Sequence, residues 1–181
     1  MAGSARSRAP EALLAGEVMR RLAVTDVVLA QVHPADYPLP VFDDPDDDAT
    51  PPPENARLIA GRLALQDGLV LVARERGAGA PALLLNALEW IAAIGGDAAF
   101  RRLVVALAIV GDRPVGGALC AQDLRTRLSA LGAVVVTPTI LLDRTAILDD
   151  ATGRLARDHG ASLDAGLDAL LDHARALGRQ G

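Results

Sequence analysis

Three short glycine-containing loops carry most of the residues that could bind a ligand. The first is Gly3-Ser4-Ala5-Arg6, and the other two span 73–81 and 111–117. Each loop stands just before an apparent helix, where free backbone N–H groups and the positive end of the helix dipole attract anions. The Ser4 hydroxyl and the Arg6 guanidinium could hold phosphate oxygens, so the first loop is a candidate phosphate site. A frayed N-terminus is the alternative interpretation.

The second and third loops each follow an apolar run that is typical of a buried strand. Ligands of doubly wound sheets bind at the carboxyl ends of strands, where such loops lie. Paired glycines also let a flat ligand approach the backbone, although the same residues make an ordinary strand-to-helix turn. The candidate ligand-binding residues of these two loops are Arg74, Glu75, Arg76, Gly77, Ala78, Gly111, Gly116 and Gly117.

Composition excludes several other kinds of chemistry. The chain has no lysine, so no Schiff base can form, and its single cysteine, Cys120, rules out an intrachain disulfide. The histidines are few and scattered, which argues against a metal enzyme. A net charge of −5 with only 2% aromatic residues argues against nucleic-acid binding.

The pattern of apolar residues predicts a cytoplasmic protein. No apolar run is long enough to span a bilayer, and the N-terminus has no signal-peptide hydrophobic region. We therefore expect no membrane partner.

Strand and helix patterns alternate along the chain. Apolar runs predict strands at 27–32, 69–72, 103–110 and 133–136. Amphipathic or Pro-started segments predict helices at 10–22, 54–65, 81–94, 117–131 and 163–177. This alternation predicts an α/β fold with a doubly wound parallel sheet in a three-layer sandwich, formed by one domain over 1–181.

Two segments depart from that regular pattern. Residues 34–53 form a long Pro- and Asp-rich segment, which we interpret as a solvated loop rather than a cation site. The chain opens directly into the first loop, so a central strand that should precede it is missing from the pattern. A start placed too late, a truncation, or another segment taking the strand's place would each explain this.

Four segments together resemble the NADPH-dependent FMN reductase family of flavodoxin-like proteins. That family has a GSxRxxSxN loop, a LPxY(D/E) stretch, a PEYNGSxPGxLKNAxDW segment and a SPGxxGG loop. The counterparts here are GSARSRAPE at 3–11, LPVFDD at 39–44, ARERGAGAPALLLNALEW at 73–90 and GDRPVGGALCAQDLR at 111–125. The order and spacing agree over nearly the whole chain.

The resemblance implies a function and a set of roles. It implies an FMN-dependent NAD(P)H oxidoreductase, with FMN and NAD(P)H as cofactors, that reduces a flavin, a quinone or a similar small-molecule acceptor. Gly3, Ser4 and Arg6 fall on the phosphate loop. The second and third loops flank the isoalloxazine, Glu75 keeping the family's acidic position and Gly116-Gly117 its paired glycines. No catalytic side chain is implied, because the cofactor supplies the chemistry.

The family pattern also implies a homodimer or homotetramer. Helix 81–94 is apolar around most of its circumference, which fits burial on more than one side, either across subunits or within one subunit. We interpret Asn86 and Trp90, four residues apart on that helix, as packing residues.

Several positions depart from the family pattern. Glu11 stands where the family has Asn, and it would place a negative charge near a phosphate unless the side chain turns away. Arg74 and Arg76 replace Pro and Tyr, and Gly111-Asp112-Arg113 replaces Ser-Pro-Gly. Two alternatives follow: a non-catalytic flavodoxin-like interaction module, or an anion site formed by Arg74, Arg76 and Arg113.

Overall fold

The computed structural model describes residues 1–3, 9–43, 51–94, 97–144, 148–149, 154–155 and 159–178. Its helices are α1 (Pro10–Leu22), α2 (Glu54–Ala64), α3 (Ala82–Ala93), α4 (Asp97–Phe100), α5 (Pro114–Ala130) and α6 (Gly160–Leu177). Its strands are β1 (Gly68–Arg74), β2 (Val104–Gly111), β3 (Val134–Val135), β4 (Ile140–Asp143), β5 (Leu148–Asp149) and β6 (Arg154–Leu155). A short 3₁₀ turn spans Pro34–Asp36.

The main sheet is parallel and is built around β2. Strand β1 pairs with β2 from Gly68↔Val104 to Arg74↔Val110. Along its other edge, β2 pairs with β3 near the start of β2 and with β4 near the end of β2. All eight residues of β2 are buried, as expected of a parallel strand covered on both faces. Strands β5 and β6 form a separate antiparallel pair.

Helices cover both faces of this sheet and form the outer layers. Alternate strand residues, such as Leu71 and Leu107, pack with α2, α3 and α5 on one face. The intervening residues, such as Val70 and Ala106, pack with α1 and α6 on the other. Successive side chains of each strand point to opposite faces of the sheet and pack against two apolar layers. The predicted three-layer arrangement is therefore confirmed.

One predicted strand is absent and another strand was missed. Residues 27–32 form no strand, although their exposure alternates along the chain, with Val28 97% exposed and Val32 buried. The segment has strand-like residues but no neighbouring strand to pair with. The missed strand is β4, an edge strand whose alternate residues Leu141 and Asp143 are exposed.

Residues Met1–Gly3 lie beside the free edge of β1. Ala2 bridges Val72 in parallel, and Gly3 N–H donates to the Val72 carbonyl at 2.7 Å. The Met1 carbonyl accepts from Val72 N–H at 2.9 Å. The contacts of Met1–Gly3 with β1 end at Val70. The first two residues of β1, Gly68 and Leu69, therefore line a groove.

That groove lies where a further strand could pair with β1. It holds about 550 Å³ between β1 and residues 27–32, with side chains of α1 and α6 on its walls. The Met1 ammonium lies at its end and donates to the Val70 carbonyl at 2.8 Å. Burial lowers the pKa of this ammonium from 8.0 to about 5.

We predict that an apolar extension before Met1 stabilises the fold. The unfolded chain holds the amine proton up to about pH 8.0, whereas the folded chain releases it above about pH 5. The free energy of unfolding of the unextended chain should therefore rise from pH 5 to pH 8. Adding Val-Leu-Val-Leu-Val should abolish this rise and raise the melting temperature at pH 8 by about 4 °C or more, because apolar side chains enter the groove.

A Gly-Ser-Gly-Ser-Gly extension is the matched control. It also moves the charge away from Val70 but brings no apolar side chains, so it should remove the pH dependence without the gain in melting temperature. Equal melting temperatures for the two extended chains would contradict a strand-shaped groove.

Candidate functional site

The second and third loops meet at the carboxyl edge of the sheet. Strand β1 ends at Arg74 and β2 ends at Gly111, and the register Arg74↔Val110 sets these ends side by side. Gly3, beside Val72, reaches the same edge from the other side of β1. The predicted loops therefore come together where the three chain segments leave the sheet. Ser4 and Arg6 lie outside the described residues.

Glu75 ties the second loop to the third. Its side chain is buried, Oε1 accepts from Ala78 N–H at 2.9 Å and Oε2 accepts from Asp112 N–H at 3.0 Å. A Cβ on Gly116 would lie 2.7 Å from the Glu75 Cδ, so the brace requires glycine there. The sequence pattern identified the acidic position, but not that it connects the two loops.

The second loop reverses tightly at its tip. Arg76 and Gly79 exchange backbone hydrogen bonds, both at 3.0 Å. Between them Gly77 and Ala78 have φ values of 56° and 64°. Glycine adopts this left-handed conformation freely, whereas alanine is strained in it by about 1 kcal/mol. The Glu75 carboxylate that accepts the Ala78 N–H helps to hold this strained residue.

The third loop brings two backbone segments into contact. A Cβ on Gly111 would lie 3.0 Å from the Arg113 carbonyl and 3.3 Å from the Gly117 Cα. Pro114 begins α5, and Gly117 N–H closes its first turn on the Arg113 carbonyl at 3.0 Å. The paired glycines therefore serve close packing at the start of α5. The space beside these glycines is filled by Glu75 and by backbone atoms of the loop itself.

Charged side chains surround this edge. Arg74 Nη2 lies 3.0 and 3.3 Å from the two oxygens of Asp112, and this guanidinium holds the pKa of the Asp112 carboxyl below its usual value. Arg144, directly after β4, approaches Asp112 at 3.6 Å. Arg74 Nε is buried and finds no hydrogen-bond partner within the described ranges.

The first turn of α1 contains the departure that bears on phosphate binding. Glu11 is only 4% exposed, so its carboxylate does not turn out to solvent. Its Oε2 has no hydrogen-bond partner among the residues that the structure describes. A buried carboxylate here interacts favourably with the positive end of the helix dipole. It would repel a phosphate dianion bound by the preceding loop.

Asn86 and Trp90 hold the 38–43 segment against α3. Asn86 Oδ1 accepts from Phe42 N–H at 2.6 Å, and its Nδ2 donates to the Pro40 carbonyl at 2.9 Å. Trp90 Nε1 donates to the same carbonyl at 2.9 Å and its ring meets Phe42 edge-on at 5.0 Å. Both residues therefore pack within this chain, and their polar atoms anchor the loop, a role that sequence reasoning missed.

Other chemistries receive no support from the described residues. Burial raises the pKa of the Cys120 thiol to about 12, so a thiolate nucleophile is disfavoured there. In the described ranges, no three His, Cys, Asp or Glu side chains cluster as metal ligands would. None of the helices in these ranges is long and apolar enough to cross a bilayer.

Several solved structures with similar folds carry the names of flavin enzymes or related oxidoreductases. FerB, a flavoenzyme NAD(P)H:(acceptor) oxidoreductase from Paracoccus denitrificans, is 23% identical with a TM-score of 0.71, covering 94% of each chain. The apo form of the NADH:FMN oxidoreductase EMOB is 16% identical with a TM-score of 0.68, covering 98% of this chain and 88% of the other.

A candidate quinone reductase from Klebsiella pneumoniae is 15% identical with a TM-score of 0.69, covering 92% of this chain and 82% of the other. At these identities the likeness shows the flavodoxin-like α/β fold alone. No match was found among curated proteins.

A sequence profile decides the family. The profile of the NADPH-dependent FMN reductases matches residues 1–146, which contain all three loops and the Glu75 brace. The chain therefore belongs to the NADPH-dependent FMN reductase family.

Proposed function

We propose that this chain is an FMN-dependent NAD(P)H oxidoreductase that reduces a flavin, a quinone or a similar acceptor. The observation that carries the proposal is the Glu75-braced pair of loops at the carboxyl ends of β1 and β2, in a chain of the FMN reductase family. Ligands of open α/β sheets bind at this edge. When bound, FMN supplies the hydride chemistry.

The residues present fit a flat, anionic ligand. At the tip of the second loop, a Cβ on Gly77 would meet no described atom within 4 Å, so the backbone there is open to a flat ligand. The buried Arg74 Nε is a donor in need of an acceptor. We therefore assign the isoalloxazine to the second and third loops and the phosphate to Gly3, Ser4 and Arg6.

The protein's own contribution is placement rather than proton transfer. Glu75 holds Ala78 and Asp112 at fixed separation, so the two loops form one rigid support. Asn86 and Trp90 fix the 38–43 segment above α3. A support that is rigid before binding aligns the hydride donor with the hydride acceptor, and the protein loses little conformational entropy when the ligand binds.

A non-catalytic interaction module is the second candidate. The observation in its favour is the buried Glu11 carboxylate, which directly follows the proposed phosphate loop. Such a module would keep the fold and the Glu75 brace but would bind FMN weakly.

We further propose that the protein is a homo-oligomer. Large apolar side chains are exposed on α3 and at the start of α5, namely Leu83, Val115 and Leu119. Exposed apolar surface of this kind is typical of contact sites. Light scattering on the purified protein should give a dimer or tetramer, and a strict monomer would contradict the proposal.

The proposed function predicts that the protein quenches FMN fluorescence and mediates NADPH oxidation. Titration of FMN with purified protein should quench the flavin emission to saturation. NADPH added without oxygen should then bleach the flavin absorbance, and a quinone should restore it. Heat-unfolded protein is the control. Absence of both quenching and bleaching would contradict the proposal and favour the interaction module.

Glu75→Gln should weaken FMN binding roughly tenfold. The glutamine nitrogen cannot accept a hydrogen bond, so one of the two loop contacts is lost, at a cost of about 1.5–3 kcal/mol for a contact to a charged group. Fluorescence titration measures the affinity. Glu89→Gln is the matched control, because Glu89 is an exposed carboxylate that pairs with exposed Arg127 at 3.2 Å.

The Glu89→Gln protein should bind FMN as the unsubstituted protein does. If Glu75→Gln also leaves the affinity unchanged while the melting temperature falls, the brace serves stability only and the assignment of the isoalloxazine to these loops is wrong.

A further inference from the structure

Glu11 is the first residue of the buried stripe along α1 that faces the sheet. Leu14, Val18 and Leu22 follow it at helical spacing, and all three pack in the same apolar layer as Val72. The spacing therefore assigns Glu11 to the face of the helix that is otherwise apolar. A carboxylate stands where this pattern places a core side chain.

The first turn of α1 lies towards the carboxyl edge of the sheet. At the other end of the helix, Met19 and Leu22 line the groove together with Gly68 and Leu69, which begin β1. Glu11 lies roughly 16 Å from Leu22 along the helix axis, and the first and last residues of β1 lie about 20 Å apart. Helical side chains lean towards the helix N-terminus, so the Glu11 carboxylate is directed towards the place to which the FMN phosphate is assigned.

The Glu11 carboxylate is buried without a matching donor in the described part of the chain. Only 4% of the residue is exposed, and its Oε2 accepts no hydrogen bond there. Glu17, on the same helix, is also buried but forms ion pairs with Arg20 and Arg21 at 2.7 and 3.1 Å.

A stability role does not account for Glu11. The helix dipole favours an acidic residue in the first turn, but this gain is smaller than the cost of removing an unpaired carboxylate from water. Buried polar atoms of native proteins usually have a hydrogen-bond partner. The Oε2 atom therefore matches a ligand group that donates a hydrogen bond.

The tails of the two simplest flavins differ in this property. The ribityl chain of FMN ends in a phosphate, which is mostly a dianion at neutral pH and has no proton to donate in that form. The ribityl chain of riboflavin ends in a hydroxyl, which donates a hydrogen bond. A carboxylate at the tail end of the site repels the dianion and accepts from the hydroxyl.

We propose that Glu11 is a specificity-determining residue of the flavin site, and that it makes riboflavin bind at least as tightly as FMN. The inference rests on the proposed function and names the class of flavin that the same site takes, those with a free ribityl hydroxyl. The phosphate contacts assigned to Gly3, Ser4 and Arg6 favour FMN, and the Glu11 charge offsets them.

The test compares the dissociation constants of riboflavin and FMN, each measured by quenching of flavin fluorescence on the same protein preparation. The unsubstituted protein should bind riboflavin as tightly as FMN or more tightly. Glu11→Gln should lower the dissociation constant of FMN roughly tenfold, because the repelling charge is gone. It should change that of riboflavin by no more than about twofold, because the amide oxygen still accepts a hydrogen bond.

A second variant separates the charge of Glu11 from its hydrogen bond. Glu11→Met removes both, so it should strengthen FMN binding as Glu11→Gln does but weaken riboflavin binding roughly fivefold. Glu17→Gln is the matched control, because it removes a buried but ion-paired carboxylate from the same helix and should leave the ratio of the two constants unchanged. Since both constants come from one preparation, partial unfolding does not alter their ratio.

Two results would overturn the inference while the proposed function stands. One is an unsubstituted protein that binds FMN more than about a hundredfold more tightly than riboflavin. The other is an unchanged ratio in Glu11→Gln, which would show that the carboxylate does not meet the flavin tail. Binding of neither flavin by any of these proteins would contradict the proposed function as well and favour the interaction module.

Discussion

Burial of β2 on both faces and pairing along both of its edges is the constraint on which the rest of this structure depends. A buried strand must have all its backbone groups hydrogen-bonded, so β2 requires β1 on one edge and β3 with β4 on the other. Its alternating side chains then require a helical layer on each face. Because β1, β2, β3 and β4 run parallel, their carboxyl ends lie at one edge of the main sheet, and Glu75 and Asp112 lie at that edge.

The residues that this chain shares with its family and those that it does not share play different physical roles. Glu75 and Gly116 are buried against one another and admit no other pair of side chains without rearrangement. Arg76, Asp112 and Arg113 are exposed, and substitution at such positions leaves the frame intact. The buried Glu75–Gly116 contact of an FMN reductase can therefore be kept while the exposed charges at the carboxyl edge of the sheet change.

Much of the fold could be predicted from local signals. Pro10 marks the start of α1, and the apolar runs of β1 and β2 identify buried strands. Residues 27–32 were predicted wrongly, because β-branched residues indicate an extended segment but not whether a partner strand lies beside it. The contact of Glu75 with Asp112 N–H joins residues 37 apart in sequence, so no spacing rule reveals it. The roles of Ser4 and Arg6 and the cytoplasmic location stay predictions.

The groove beside β1 has a consequence for how chains of this protein meet one another in solution. A strand edge left open next to exposed valines, with Val24 and Val28 88% and 97% exposed, is a template on which a foreign strand can pair. Native proteins usually protect such edges with charged side chains, with proline or with a covering helix or loop. Among the described residues, Met1–Gly3 pair with part of this edge, and aggregation of crowded or partly opened molecules would begin at the part that they leave unpaired.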